Sequence, residues 1–196
     1  MSTVAGAMQS LLAAFDKLEI RYAVGGSVAS SLRGNYRMTN DVDFLVEMGS
    51  GQIEEFVILL GKEFYADPEM MRSAFGLGRP CNVIHMPSAF KFDLFPAAPD
   101  GFSNSQLDRR TYETSDFLGE PVEFAVTTAE DVLLSKLRWY RLGGETSEQQ
   151  WKDVLGIIAI QGPRLDYAYL RRWANDLGVG DLLGRVIGSG APFSQA

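Results

Sequence analysis

The chain has 196 residues, 46% apolar and 22% charged, with a formal net charge of −7. That is enough for one ordinary domain or two small lobes, and the acidic balance argues against broad electrostatic binding of nucleic acid, which needs a basic surface. A single cysteine, Cys81, and a single histidine, His85, exclude an intramolecular disulfide, a multi-cysteine zinc site and His-rich metal chemistry; with no signal-like N-terminus and no apolar run of ~18 residues, a cytoplasmic protein with no membrane partner is expected.

Apolar residues at Met8, Leu11, Leu12, Phe15 and Leu18 recur at helical spacing and predict a helix over 5–18 with one face on a sheet. Tyr22-Ala23-Val24 predicts a short strand, residues 27–32 a helix that Gly34 can end, and residues 41–46 a central strand. After the Gly49-Ser50-Gly51 turn, Ile53, Phe56, Val57, Leu60 and Phe64 mark an amphipathic helix. A short helix and loop are expected over 68–80, paired strands over 82–86 and 90–95, and two more strands over 111–117 and 122–126. The character changes at Thr127, where Thr127-x-x-Glu130 has the form of a capping box. Four helices follow, over 128–142, 147–160, 166–177 and 181–187. The expected organisation is an α/β lobe over 1–126, a helical lobe over 127–188 packed on it without a flexible linker, and a tail over 189–196.

Two features carry chemistry. Gly25-Gly26-Ser27 is a strand-to-helix turn, where backbone N–H groups at a helix start can meet a phosphate; the plainer reading is an ordinary turn with Ser27 as cap. Downstream, Asp41-Val42-Asp43 lies on a strand, and side chains two residues apart share a face. Two carboxylates on one face offer hard oxygen ligands suited to Mg²⁺ (or Mn²⁺), which keeps one or two protein carboxylates and takes the rest of its shell from water and substrate phosphates. The plainer reading is an acidic strand end facing water. Asp93, in the apolar run Lys91-Phe92-Asp93-Leu94-Phe95, is costly to bury unless paired. A metal shared with Asp41 and Asp43 would pair it; so would a neighbouring Lys or Arg.

Gly25-Gly26-Ser27 followed by Asp41-x-Asp43, with Asp93 on a later strand, resembles the nucleotidyltransferase superfamily of the DNA polymerase beta type. The segment 25–46, with Arg37-x-Thr39 before the aspartates, is similar to its minimal and AbiEii-like bacterial members. Ala129 to Arg138 and Trp151-Lys152-Asp153-Val154 are similar to the helical Lys and Asp motifs of the AbiEii-like transferases. The resemblance implies an α+β fold, a small mixed sheet flanked by helices followed by a helical C-terminal lobe. It implies Mg²⁺-dependent transfer of an NMP group from an NTP to an acceptor hydroxyl on tRNA, protein or a small molecule. It implies Asp41, Asp43 and Asp93 as metal ligands, with Asp93 also the general base. Gly25, Gly26, Ser27, Arg37, Thr39 and Lys136 would serve the nucleotide, and Asp153 would orient Lys136 so that both face the cleft. A toxin–antitoxin or phage-defence setting, with a cognate antitoxin or toxin as partner, also follows from the resemblance. From periodicity alone, Lys136 and Asp153 read as solvated helix charges. The rival to catalysis is a silent nucleotidyltransferase-fold module acting as antitoxin or regulator; the presence of all three carboxylates speaks against it.

Overall fold

The computed structural model describes residues 3–35 and 39–188 and divides into two compact units, one of Met1–Gly25 with Thr39–Thr127 and one of Gly26–Met38 with Thr128–Ala196.

The first unit is built on a seven-stranded mixed sheet. Its strands are β1 (Arg21–Val24), β2 (Asp41–Glu47), β3 (Phe64–Tyr65), β4 (Cys81–His85), β5 (Phe90–Pro96), β6 (Thr111–Ser115) and β7 (Val122–Val126), in spatial order β3-β4-β5-β2-β1-β7-β6. β2 runs parallel to β5 and β1 parallel to β7, while the remaining pairs are antiparallel. β2 is therefore an interior strand, and the alternation of its sequence sets its two faces: Val42, Phe44 and Val46 are fully buried, whereas Asp41, Asp43 and Leu45 are part-exposed.

Four helices complete this unit: α1 (Val4–Lys17), then, after α2 (Gly26–Arg33) of the other unit, α3 (Ile53–Leu60), α4 (Pro68–Gly76) and α5 (Gly101–Arg109). Thr3 caps α1 by accepting from the Gly6 N–H at 3.0 Å. The stripe Met8, Leu11, Leu12 and Phe15 is buried as its spacing predicts. Phe15 stacks on Phe56 at 5.3 Å between centroids and meets Phe44 edge-on at 5.7 Å, so α1, α3 and β2 share one aromatic core. Each such ring contributes about 1.5–3 kcal/mol of burial.

Two elements differ from expectation. Phe64 does not extend the stripe of α3: the helix stops at Leu60, Gly61 takes a φ of +71°, and Phe64 opens β3 instead. Helix α5 has no counterpart in the sequence reading, because half of its buried positions are polar: Ser103 and Gln106 sit beside Phe102 and Leu107.

The second unit is helical: α2 (Gly26–Arg33), α6 (Ala129–Leu142), α7 (Glu148–Gln161), α8 (Tyr167–Asp176) and α9 (Gly180–Gly188). The cap of α6 is Thr128, not Thr127; its Oγ1 accepts from the Asp131 N–H at 3.3 Å and donates to Asp131 Oδ2 at 2.8 Å. Thr127 belongs to the first unit, where its N–H donates to the Val24 carbonyl at 3.0 Å. Asp131 is fully buried and tolerates it because Tyr169 on α8 donates to its other oxygen at 2.6 Å. Upstream in the chain, α2 packs on α6 and α7. The approach is close at Gly34, where a Cβ would stand 3.1 Å from the Ile157 backbone nitrogen. No helix among the described residues is long and apolar enough to cross a membrane.

Candidate active site

The parallel pairing of β2 with β5 sets Asp41 opposite Lys91 and Asp43 opposite Asp93. All four are partly accessible and alternate with buried apolar neighbours, so they form a two-by-two block on one face of the sheet. Three carboxylates and one ammonium are thus gathered by strand register alone. Lys91 Nζ donates to Asp93 Oδ2 at 2.8 Å and stands 3.7 Å from Asp41 Oδ2. The bond to Asp93, with the added field of Asp41 and Asp43, holds the Lys91 ammonium above its ordinary range. Thr39 fixes the other side of Asp41, donating to its Oδ1 at 2.8 Å. Arg37 lies outside the described residues.

Lys91 is the member of this cluster that sequence reasoning missed. The signal was present in Lys91-x-Asp93, since the same period of two that aligns Asp41 with Asp43 aligns these two. Asp93 therefore has the basic partner that its burial demands, on its own strand.

In the glycine turn the three residues differ. The Gly25 N–H donates to the Asp43 carbonyl at 2.8 Å and continues the β1–β2 ladder, so that donor is committed to the sheet. Gly26 opens α2 at a φ of +52°, a left-handed conformation that a β-branched residue resists. Ser27 follows in the first turn of α2.

Lys136 and Asp153 are not solvated helix charges. Both are buried, on α6 and α7, with Lys136 Nζ 2.8 Å from Asp153 Oδ2. The alignment at that oxygen falls short of a hydrogen bond, so the contact is charge against charge. Gln149 donates to Asp153 Oδ1 at 2.7 Å. His85 and Cys81 hold structural places. The His85 ring is fully buried against Phe64, with Nδ1 at 2.7 Å from the Ser88 hydroxyl. Burial pushes the Cys81 thiol up to about 12, which makes it a poor nucleophile at neutral pH.

Among the described residues no three His, Cys, Asp or Glu side chains converge closely enough to hold a metal ion as they stand. The donor set nonetheless suits one in kind. Asp41, Asp43 and Asp93 supply hard carboxylate oxygens from adjacent strands, and Asp93 Oδ1 is buried without a hydrogen-bond partner, an arrangement that is costly unless a cation answers it.

No family model matches the sequence, and no curated protein matches it. Solved structures do. ANT(2'')-Ia in complex with adenylyl-2''-tobramycin aligns with a TM-score of 0.51 at 14% identity, over 89% of this chain and 96% of that one. The antibiotic-resistance factor ANT(2'')-Ia in solution aligns at 0.50 and 14% identity, over 92% and 96%. The lincosamide antibiotic adenylyltransferase LnuA, lincomycin-bound, aligns at 0.47 and 13% identity, over 82% and 99%. Likeness at such low identity bears on the fold alone, and on the strength of the first two the chain has the fold of the nucleotidyltransferase superfamily.

Proposed function

We propose that this protein is a divalent-metal-dependent nucleotidyltransferase that moves an NMP group from an NTP to an acceptor hydroxyl and releases pyrophosphate. One observation carries the reading: strand register sets Asp41, Asp43 and Asp93 on one face of a nucleotidyltransferase-type sheet, with Asp93 Oδ1 buried and unanswered. Asp41, Asp43 and Asp93 would hold Mg²⁺ or Mn²⁺, which supplies charge neutralisation at the phosphates and lowers the pKa of a bound hydroxyl. The acceptor oxygen forms the new bond to the α-phosphorus as the bond to the leaving pyrophosphate breaks. The Asp93 carboxylate takes the acceptor's proton, a role that requires hydrogen-bond reach in the substrate complex. Thr39 orients Asp41 through its hydroxyl. The assignments of Gly26, Ser27, Arg37 and Lys136 to the nucleotide, and of Asp153 to Lys136, remain part of the proposal, and each is open to substitution; Gly25 enters it only through its carbonyl and its lack of a side chain.

The acceptor reading favours a small or protein-borne hydroxyl over RNA. The net charge of −7 repels a polyanion and attracts a cationic acceptor. The solved neighbour captured with adenylyl-2''-tobramycin points the same way. The AbiEii-like affinity and a toxin–antitoxin setting rest on the resemblance of segment 25–46, with Arg37-x-Thr39, and of the helical Lys and Asp motifs. The test is incubation of the protein with labelled NTPs, Mg²⁺ and cell lysate, then separation of counts into small-molecule, protein and RNA fractions. Counts in RNA alone overturn the acceptor reading; folded protein that neither binds Mg-NTP nor releases pyrophosphate overturns the enzyme.

Gly26→Val is expected to raise the KM for NTP at least about tenfold and to lower stability by about 1–2 kcal/mol, the cost of a side chain at positive φ. An unchanged KM removes Gly26 from the phosphate turn. The rival reading, a silent binding module, predicts a tight partner complex that survives alanine at all three aspartates.

A further inference from the structure

Lys91 is one corner of the two-by-two block, with its ammonium between Asp41 and Asp93, and its position accounts for an otherwise contradictory pair of facts. Three aspartates share one sheet face by register, yet no three of the described acidic side chains converge on a common point. The Asp93 carboxylate is turned to the Lys91 ammonium through Oδ2 at 2.8 Å, and Asp41 Oδ2 lies 3.7 Å from the same nitrogen. Without Lys91, the Asp41 and Asp93 carboxylates would face each other across the β2–β5 pair with no ammonium between them, a repulsion that a bound cation in its place would relieve. The two ends of the pair differ in freedom. The Asp93 side chain is 14% exposed, whereas that of Lys91 is 38% exposed. Its four-carbon stem can carry the ammonium into water while Asp93 stays in place.

We propose that Lys91 is a tethered stand-in for the metal, holding Asp41 and Asp93 in register when no divalent ion is bound and leaving them when one enters. The inference rests on the metal-dependent reading given above. It makes Lys91 a positioning residue that sets how readily the site loads. With the ammonium in place, an incoming divalent ion meets a like charge as well as three carboxylates. Loading is therefore weak in the protein alone, and it strengthens when a triphosphate brings its own negative charge for the ammonium to follow.

The experiment is a Mn²⁺ titration without nucleotide, with free Mn²⁺ read by electron paramagnetic resonance, on wild type, Lys91→Met, Lys91→Gln, Lys91→Arg and Asp43→Asn. Lys91→Met and Lys91→Gln are expected to bind Mn²⁺ about tenfold more tightly than wild type, and Lys91→Arg to stay close to wild type. In thermal melts, the uncharged variants are expected to fall below wild type without metal and to gain more from added Mn²⁺. The glutamine variant, with a polar head of similar reach, carries the test if methionine impairs folding. Binding that is lost in Asp43→Asn but unchanged or weaker in both uncharged variants overturns the stand-in and leaves the metal site standing. No Mn²⁺ bound by any of the proteins overturns both.

Discussion

Asp43→Asn is expected to lower turnover by about a thousandfold or more while leaving the fold intact. The side chain keeps its shape and loses only its charge, so the change falls on cation capture. Asp43 stands opposite Asp93 in the β2–β5 register, and with Asp41 it supplies the second carboxylate of its strand. A metal is worth several kcal/mol of transition-state charge stabilisation, and about 4 kcal/mol corresponds to three powers of ten. The effect on stability has the opposite sign or none. Asp43 stands beside two like charges, Asp41 on its own strand and Asp93 opposite it, and removing one unit lessens the repulsion among them. The melting temperature is expected to stay within about 3 °C of wild type or to rise, given roughly 2–4 °C per kcal/mol for a chain of this size. Pyrophosphate release and a circular-dichroism melt read the two sides. Turnover within a few-fold of wild type removes Asp43 from the metal shell.

That this site is legible at all in the sequence follows from the rigid period of a strand. Asp41-x-Asp43 and Lys91-x-Asp93 each fix a face once the strand is recognised, and the apolar residues between them fix which face is buried. What the period cannot give is register between strands distant in the chain. The pairing of Asp41 with Lys91 rather than with Phe90 or Phe92 is a property of the assembled sheet. The period of two places Lys91 beside Asp93, but its place opposite Asp41 needs that register. The helices divide in the same way. α1 and α6 announce themselves by long apolar stripes, while α5 fills half of its stripe with Ser103 and Gln106 and carries no such mark. Phe64 and Tyr65 favour a strand by residue type, but a run of two is too short to show a period, and it is the pairing with β4 that makes them β3. The cap of α6 moved by one residue because adjacent threonines compete for it. Thr127 is already engaged with Val24, and the Thr128 hydroxyl makes a second bond by donating to the Asp131 carboxylate. The membership of α2 in the helical unit depends on close approach at Gly34 and Gly156, where added Cβ atoms would crowd Ile157 and Asn35.

Lys136→Ala is expected to be the most destabilising of the single changes considered. Lys136 and Asp153 are each 7% exposed at the side chain, and their charges stand 2.8 Å apart between α6 and α7. Truncating the lysine removes the opposite charge from a buried carboxylate that also accepts from the Gln149 amide. Breaking such a pair costs about 3–5 kcal/mol, which at roughly 2–4 °C per kcal/mol lowers the melting temperature by about 10 °C. The single variant cannot separate structure from function, since lost activity would follow from lost fold. Lys136→Met with Asp153→Leu can. Replacing both partners by apolar side chains of similar volume removes two desolvated charges together and is often neutral or stabilising. The double variant is expected to recover most of the melting temperature. If Lys136 also serves the nucleotide's phosphates, as proposed, the recovered protein should still show an NTP KM raised about tenfold, the worth of one charged contact of about 1.4 kcal/mol. Its Mn²⁺ affinity without nucleotide should match wild type, because Asp41, Asp43, Asp93 and Lys91 are untouched. Full recovery of KM together with stability would make the Lys136–Asp153 pair a clasp between two helices and nothing more, and would leave the carboxylate block on β2 and β5 as the whole of the chemical machinery.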